Sequence, residues 1–156
     1  MFELIFSVLV FCAYLFWVVN KYGMATSMSA TYYNLPINRQ FLFTLFCWFY
    51  ASPILLICEF PLIIIAVSGV AIVGAAAAFR GDELINRLHM ISASVAAACT
   101  YLSLIFDFHQ YWIAGIAMVV SGGCYLLQKK FVNGVFWAEV TCYVSLILTL
   151  FLSLLK

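Results

Sequence analysis

Charge is what this chain has least of. Seven lysines and arginines and six aspartates and glutamates make up 8% of its 156 residues. Soluble domains carry about a quarter of their residues as charged side chains, so a soluble globular domain is excluded. Disorder is excluded too, because it needs low hydrophobicity together with high charge. A net charge of +1 with no basic patch argues against nucleic acid as a partner. No Walker, dinucleotide, zinc-finger or EF-hand pattern is present, nor a GxSxG or Ser-x-x-Lys arrangement. The six cysteines contain no CxxC pair and all fall in apolar runs, where they read as small packing residues.

What the chain has is hydrophobic length: 67% of its residues are apolar, and they come in blocks. A membrane-spanning helix needs about 20 such residues at 1.5 Å rise each. Six runs qualify or come close, over residues 2–19, 41–58, 62–79, 88–106, 112–127 and 135–155. Residues 41–79 as one helix would be nearly 60 Å long, about twice the hydrocarbon thickness. Two helices broken at Glu59, Phe60 and Pro61 fit better, with Pro61 at the first position of the second. Pro53 falls inside its helix and predicts a kink. The expectation is an all-α, single-domain bundle of six transmembrane helices over residues 1–156, with both termini on the same side.

The basic residues orient it. Lys21, Arg39, Arg80, Arg87, Lys129 and Lys130 fall in loops 20–40, 80–87 and 128–134, whereas Lys156 alone lies opposite. Lys and Arg are retained in short cytoplasmic loops. Those three loops are therefore expected in the cytoplasm and the termini outside, in a membrane of the bacterial inner (plasma) type. Nothing basic precedes the first apolar run, so a cleaved signal peptide is not expected. Trp17, Trp48, Tyr50, Tyr111, Trp112, Phe136 and Trp137 lie near helix ends and read as an interfacial belt. Small residues four apart, Gly74 with Ala78 and Ala93 with Ala97, suggest close helix packing or an oligomer contact.

Few polar groups need an explanation. His89 and Glu139 each lie about one turn into a helix from the cytoplasmic side, and a carboxylate in hydrocarbon must be paired or wet. A His89–Glu139 contact, with Asp82, Glu83, Ser92 or Tyr32 nearby, is one reading; side chains simply held at headgroup level are the other. The first polar loop contains Ser27, Ser29, Thr31, Tyr32 and Tyr33 and has little charge. It reads as a segment folded back against the bundle, where its hydroxyls either contact a lipid or ligand or cap a short helix. Ser27, Ser29, His89 and Glu139 are the catalytic candidates if the protein is an enzyme, with His89 on the right side to activate a serine. The ligand or lipid contacts would be Ser27, Ser29, Thr31, Tyr32, Tyr33, His89, Ser92 and Glu139. No metal or other cofactor is expected: His89 and His109 stand at opposite ends of a helix roughly 26 Å long, too far apart to share an ion or to act with a third ligand.

Two motifs carry a resemblance. Ser27-Met28-Ser29 followed by Phe41 to Phe46, and His89-Met90-Ile91-Ser92-Ala93 with Tyr101 downstream, resemble the DRAM-type and Frag-type small multipass membrane proteins. This chain departs from them in having no proline before the serine motif. The Ser-x-Ser-x-x-Tyr-Tyr loop, Ser27 to Tyr33, is also similar to that of uncharacterised small membrane proteins of gut bacteria and their phages. The first resemblance implies about six helices and a lipid-linked or membrane-trafficking role, with no defined reaction.

Three alternative functions remain. The leading one is a non-enzymatic multipass protein that binds lipid or a membrane partner. The others are a small transporter or channel subunit working as a homo-oligomer, and an intramembrane lipid-modifying enzyme. Transporters usually keep polar or broken-helix features near the bilayer midplane, and the charged residues here cluster at helix ends.

Overall fold

The computed structural model describes residues 1–128 and 133–154 of the chain. Every regular element among them is helical: α1 (Phe2–Tyr22), α2 (Thr31–Asn34), α3 (Phe41–Ile57), α4 (Pro61–Ala75), α5 (Glu83–Phe106), α6 (Tyr111–Leu126) and α7 (Gly134–Leu154), with a 3₁₀ turn over Ile37–Arg39. Four helical stretches are long and apolar enough to cross a membrane: α1, α3 with its preceding turn, α5 and α7. The apolar helices α4 and α6 are shorter, at 15 and 16 residues. Lys129, Lys130 and Lys156 lie outside the described residues.

Local signals explain where the helices begin and end. Pro61 opens α4, where its missing N–H leaves no bond unmade. Pro53 lies within α3. Helix α1 continues to Tyr22, past its apolar run, and stops at Gly23, whose φ of 78° suits glycine. The segment 80–87, expected as a loop, is half helical. Asp82 accepts a bond from the Ile85 amide at 3.0 Å and starts α5 at Glu83, one turn before the apolar run. Glu83 and Arg87 then pair at 2.5 Å on its exposed face. Helix α4 stops at Ala75 rather than running to Phe79. Phe79 instead stacks on His89 at 4.1 Å.

Helices α1, α3, α4, α5 and α7 form a ring, and α6 leans on α7 with only a light contact to α5. Lipid tails are as apolar as these side chains, so the ring is held by close packing and interhelical hydrogen bonds. Packing is tightest between α4 and α5, as the small residues suggested, but through different pairs. A methyl group on Gly69 would sit 2.9 Å from the Ser92 carbonyl oxygen and 3.0 Å from Ala96. Gly74 approaches α3, not α5: its added carbon would meet Cys47 at 2.5 Å. On the same face of α3, the Thr44 hydroxyl donates to the Gly74 carbonyl at 2.8 Å and the Trp48 indole to the Ala71 carbonyl at 3.1 Å. Between α1 and α3, Ser7 donates to the Tyr50 carbonyl at 2.9 Å. Each such bond contributes about 0.6 to 2 kcal/mol in a bilayer.

The aromatic belt is partly a core. Tyr50 and Phe136 are buried, at 0% and 2% exposure, and do not anchor an interface. Tyr14 stacks on Phe46 at 4.2 Å, and Phe11 stacks on Tyr143 at 5.5 Å, tying α1 to α3 and α7. Trp48, Tyr111, Trp112 and Trp137 do face outward.

Candidate functional site

The first polar loop lies folded against the bundle, with Ala25, Met28, Ala30, Thr31 and Leu35 buried. Its hydroxyls have separate tasks. Ser27 accepts a bond from the Ala30 amide at 3.0 Å and shapes the turn into α2. Thr31 donates to the Met28 carbonyl at 2.5 Å, which uses its one proton. Tyr14 must therefore be the donor in the 2.7 Å bond between Tyr14 and Thr31, which pins the loop to α1. Tyr33 accepts from the Arg80 amide at 2.6 Å, with the Arg80 guanidinium 4.3 Å above its ring, so the first loop is latched to the segment after α4. Tyr32 packs edge-on against Tyr33 and Phe43.

Ser29 has a different partner. Its hydroxyl donates to Glu139 Oε1 at 3.3 Å, and the Met28 amide donates to Glu139 Oε2. Helix α7 thus places its carboxylate, about 8 Å from the helix start at 1.5 Å per residue, under the folded loop. A carboxylate offers roughly four acceptor positions; Met28 and Ser29 of the loop fill part of them.

His89 belongs to another cluster. It is 2% exposed, stacks on Phe79, and has Nδ1 3.1 Å from the Ala76 carbonyl oxygen. A carbonyl only accepts, so Nδ1 carries the proton and the imidazole caps the end of α4. His89 and Glu139 make no hydrogen bond or ion pair with each other among the described residues, so of the two readings the His89–Glu139 contact is not formed. Asp82 and Glu83 are occupied by the start of α5 and by Arg87. Ser92 is buried against Gly69. Of the four catalytic candidates the structure brings together Ser29 and Glu139; Ser27 holds its own turn, and His89 bonds to neither serine.

Glu139 lines a cavity of about 410 Å³ enclosed by the first loop and by α3, α4, α5, α6 and α7. Its floor is apolar, from Phe43 and Tyr50 on α3 and Ala66, Val70 and Val73 on α4. One wall is α5, with Ala97, Thr100 and Tyr101; the opposite wall is α7, with Glu139, Cys142 and Tyr143. Met28 and Ser29 close the loop end. Part of the polar lining is used internally. Thr100 donates to its own helix, at the Ala96 carbonyl. Ser121 donates to the Ala138 carbonyl at 3.3 Å, so Tyr101 donates to Ser121 in the 2.6 Å bond between them. That chain stitches α5 to α6 and α7. Pockets of 300–1,000 Å³ with mostly apolar walls and a few placed polar groups are the usual form of a small-molecule site.

Tyr101, Ser121, Cys142 and Tyr143 were not among the sequence candidates. A signal for Cys142 and Tyr143 exists: Val135, Ala138, Glu139, Cys142, Tyr143 and Leu146 follow helical spacing down one face of α7. Comparison of the chain with protein-family models, curated proteins and solved structures finds no match. The chemistry of the cavity is thus the guide to function.

Proposed function

We propose that this is a six-crossing membrane protein that binds one lipid-like molecule in its central cavity. The observation that carries the reading is Glu139, a carboxylate on an apolar helix that lines a cavity of about 410 Å³ with acceptor capacity left over. An ionisable group inside a membrane helix is costly and marks a functional site by default. The apolar floor suits a hydrocarbon tail. A lipid-linked role is also what the resemblance to DRAM- and Frag-type proteins implies.

In this reading α4 and α6 cross as well. Their lengths correspond to about 22 and 24 Å, short of a typical core of about 30 Å but within what local thinning and flanking residues accommodate. The basic loops then face the cytoplasm of a bacterial inner (plasma) membrane, and Glu139 lies in its cytoplasmic half.

Native mass spectrometry of the protein released gently from its own membrane tests this. A monomer that retains one discrete lipid or small molecule is the expected result. A defined homo-oligomer with nothing retained would overturn it in favour of a pore or transport unit between subunits.

A further inference from the structure

If the cavity binds a lipid-like molecule, as proposed above, its geometry also constrains the ligand's head and its route in. Three observations converge. Among the described residues that line the cavity, Glu139 is the charged one, and neither lysine, arginine nor histidine joins it. An anionic head would face a carboxylate with no cation to offset it, whereas a donor head meets the acceptor positions the loop leaves open. The lining residues that are themselves exposed, Ser94, Gly122 and Tyr125, all belong to α5 and α6, the pair that touches lightly. The α3 and α4 linings, by contrast, are buried. The cavity therefore opens sideways, through the outer wall of the bundle, at the depth of an apolar stretch of α5. The Tyr101–Ser121 bond bounds that opening at one end, because Ser94 and Tyr125 both lie on the other side of it along their antiparallel helices.

We propose that the cavity takes a single-chain amphiphile with a non-anionic, hydrogen-bond-donating head, a hydroxyl or an ammonium, which enters laterally from the bilayer between α5 and α6 and sets its head on Glu139. Gly122 is the threshold. A carbon added there meets nothing within 4 Å, so a side chain can start from this exposed edge of the cavity without a backbone collision.

The test uses the full chain in phosphatidylcholine nanodiscs with three dodecyl photo-crosslinkers that differ only in the head: primary alcohol, primary amine and carboxylate. Saturable crosslinks are mapped to peptides of α5 and α7. The alcohol, the amine or both should label saturably, and the carboxylate about tenfold less well. E139Q should weaken the amine about tenfold, the difference between a charge-assisted and a neutral hydrogen bond, and leave the alcohol nearly unchanged. Amine labelling sensitive to E139Q identifies an ammonium ligand, and labelling by the alcohol insensitive to it a hydroxyl one. G122W should abolish labelling by every head while its unfolding midpoint does not fall below the wild-type value. Carboxylate labelling as strong as the others would overturn the head assignment and leave the cavity reading standing. Undiminished labelling of G122W would overturn the lateral route. No saturable labelling of α5 or α7 by any probe would overturn the cavity reading itself.

Discussion

The Ser29 hydroxyl donates to the Glu139 carboxylate at 3.3 Å across 110 positions of sequence. With the Met28 amide on the other oxygen, it joins the first polar loop to the last helix and closes one end of the central cavity. The loop and the carboxylate thus depend on each other. The loop needs an acceptor for its inward-pointing donors, and the carboxylate needs donors because it sits among apolar helices.

That dependence gives the first prediction. E139A leaves the Met28 amide and Ser29 hydroxyl without a partner and should destabilise the protein by about 1–3 kcal/mol. E139Q keeps an acceptor oxygen and should cost less. Hydrogen exchange should report the difference locally: the Met28 amide exchanges faster in E139A than in E139Q, and both are compared with thermal unfolding in detergent.

The α4–α5 contact predicts a contrast between two glycines. Any side chain on Gly69 collides with the Ser92 carbonyl and Ala96, and both obstacles belong to a helix rather than to a flexible side-chain tip. G69V should cost about 1–3 kcal/mol by overpacking. Gly115 on α6 has open space around it, and G115A should be neutral or stabilising by up to about 1 kcal/mol, from helix propensity alone. Unfolding midpoints of the two variants decide it.

Asp107 follows the last residue of α5, where the helix dipole disfavours negative charge. One of its carboxylate oxygens is buried without a partner among the described residues. Burial holds its carboxyl above the ordinary carboxylate range, with His109 pulling the other way. The folded state therefore keeps this proton to higher pH than the unfolded chain does. Its contribution to stability is complete at pH below the ordinary value and is lost as pH rises through the raised one. D107N should be more stable than wild type at pH 7, by about 0.3–1 kcal/mol, and the advantage should vanish on acidification. Unfolding midpoints measured across that range test the sign.

The crossing count predicts sidedness. Reporters inserted after Gly81 should report the cytoplasm, and reporters inserted after His109 the opposite side. The same side for both would reduce the count, and α5 would then not cross.

Much of the helical layout was legible in the sequence, because helix formation in lipid is a local requirement: a long apolar run must satisfy its own backbone. The long runs and Pro61 at a helix start are both of that kind. The early start of α5 had a local signal as well, in Asp82, but its first turn is polar and hydropathy alone passes over it. What tertiary structure decided was which face of each helix turns inward and which distant residue it meets. Phe136 lies near the start of α7 like a true interfacial ring and Tyr50 lies mid-way along α3, yet both are core, because neighbouring helices cover them. His89 and Glu139 were matched by depth, but depth does not set rotation about the helix axis. His89 turns to the end of α4, and Glu139 turns to the first loop and the cavity. A periodic pattern states that a helix has a face; only contacts between segments far apart in the chain determine what that face meets.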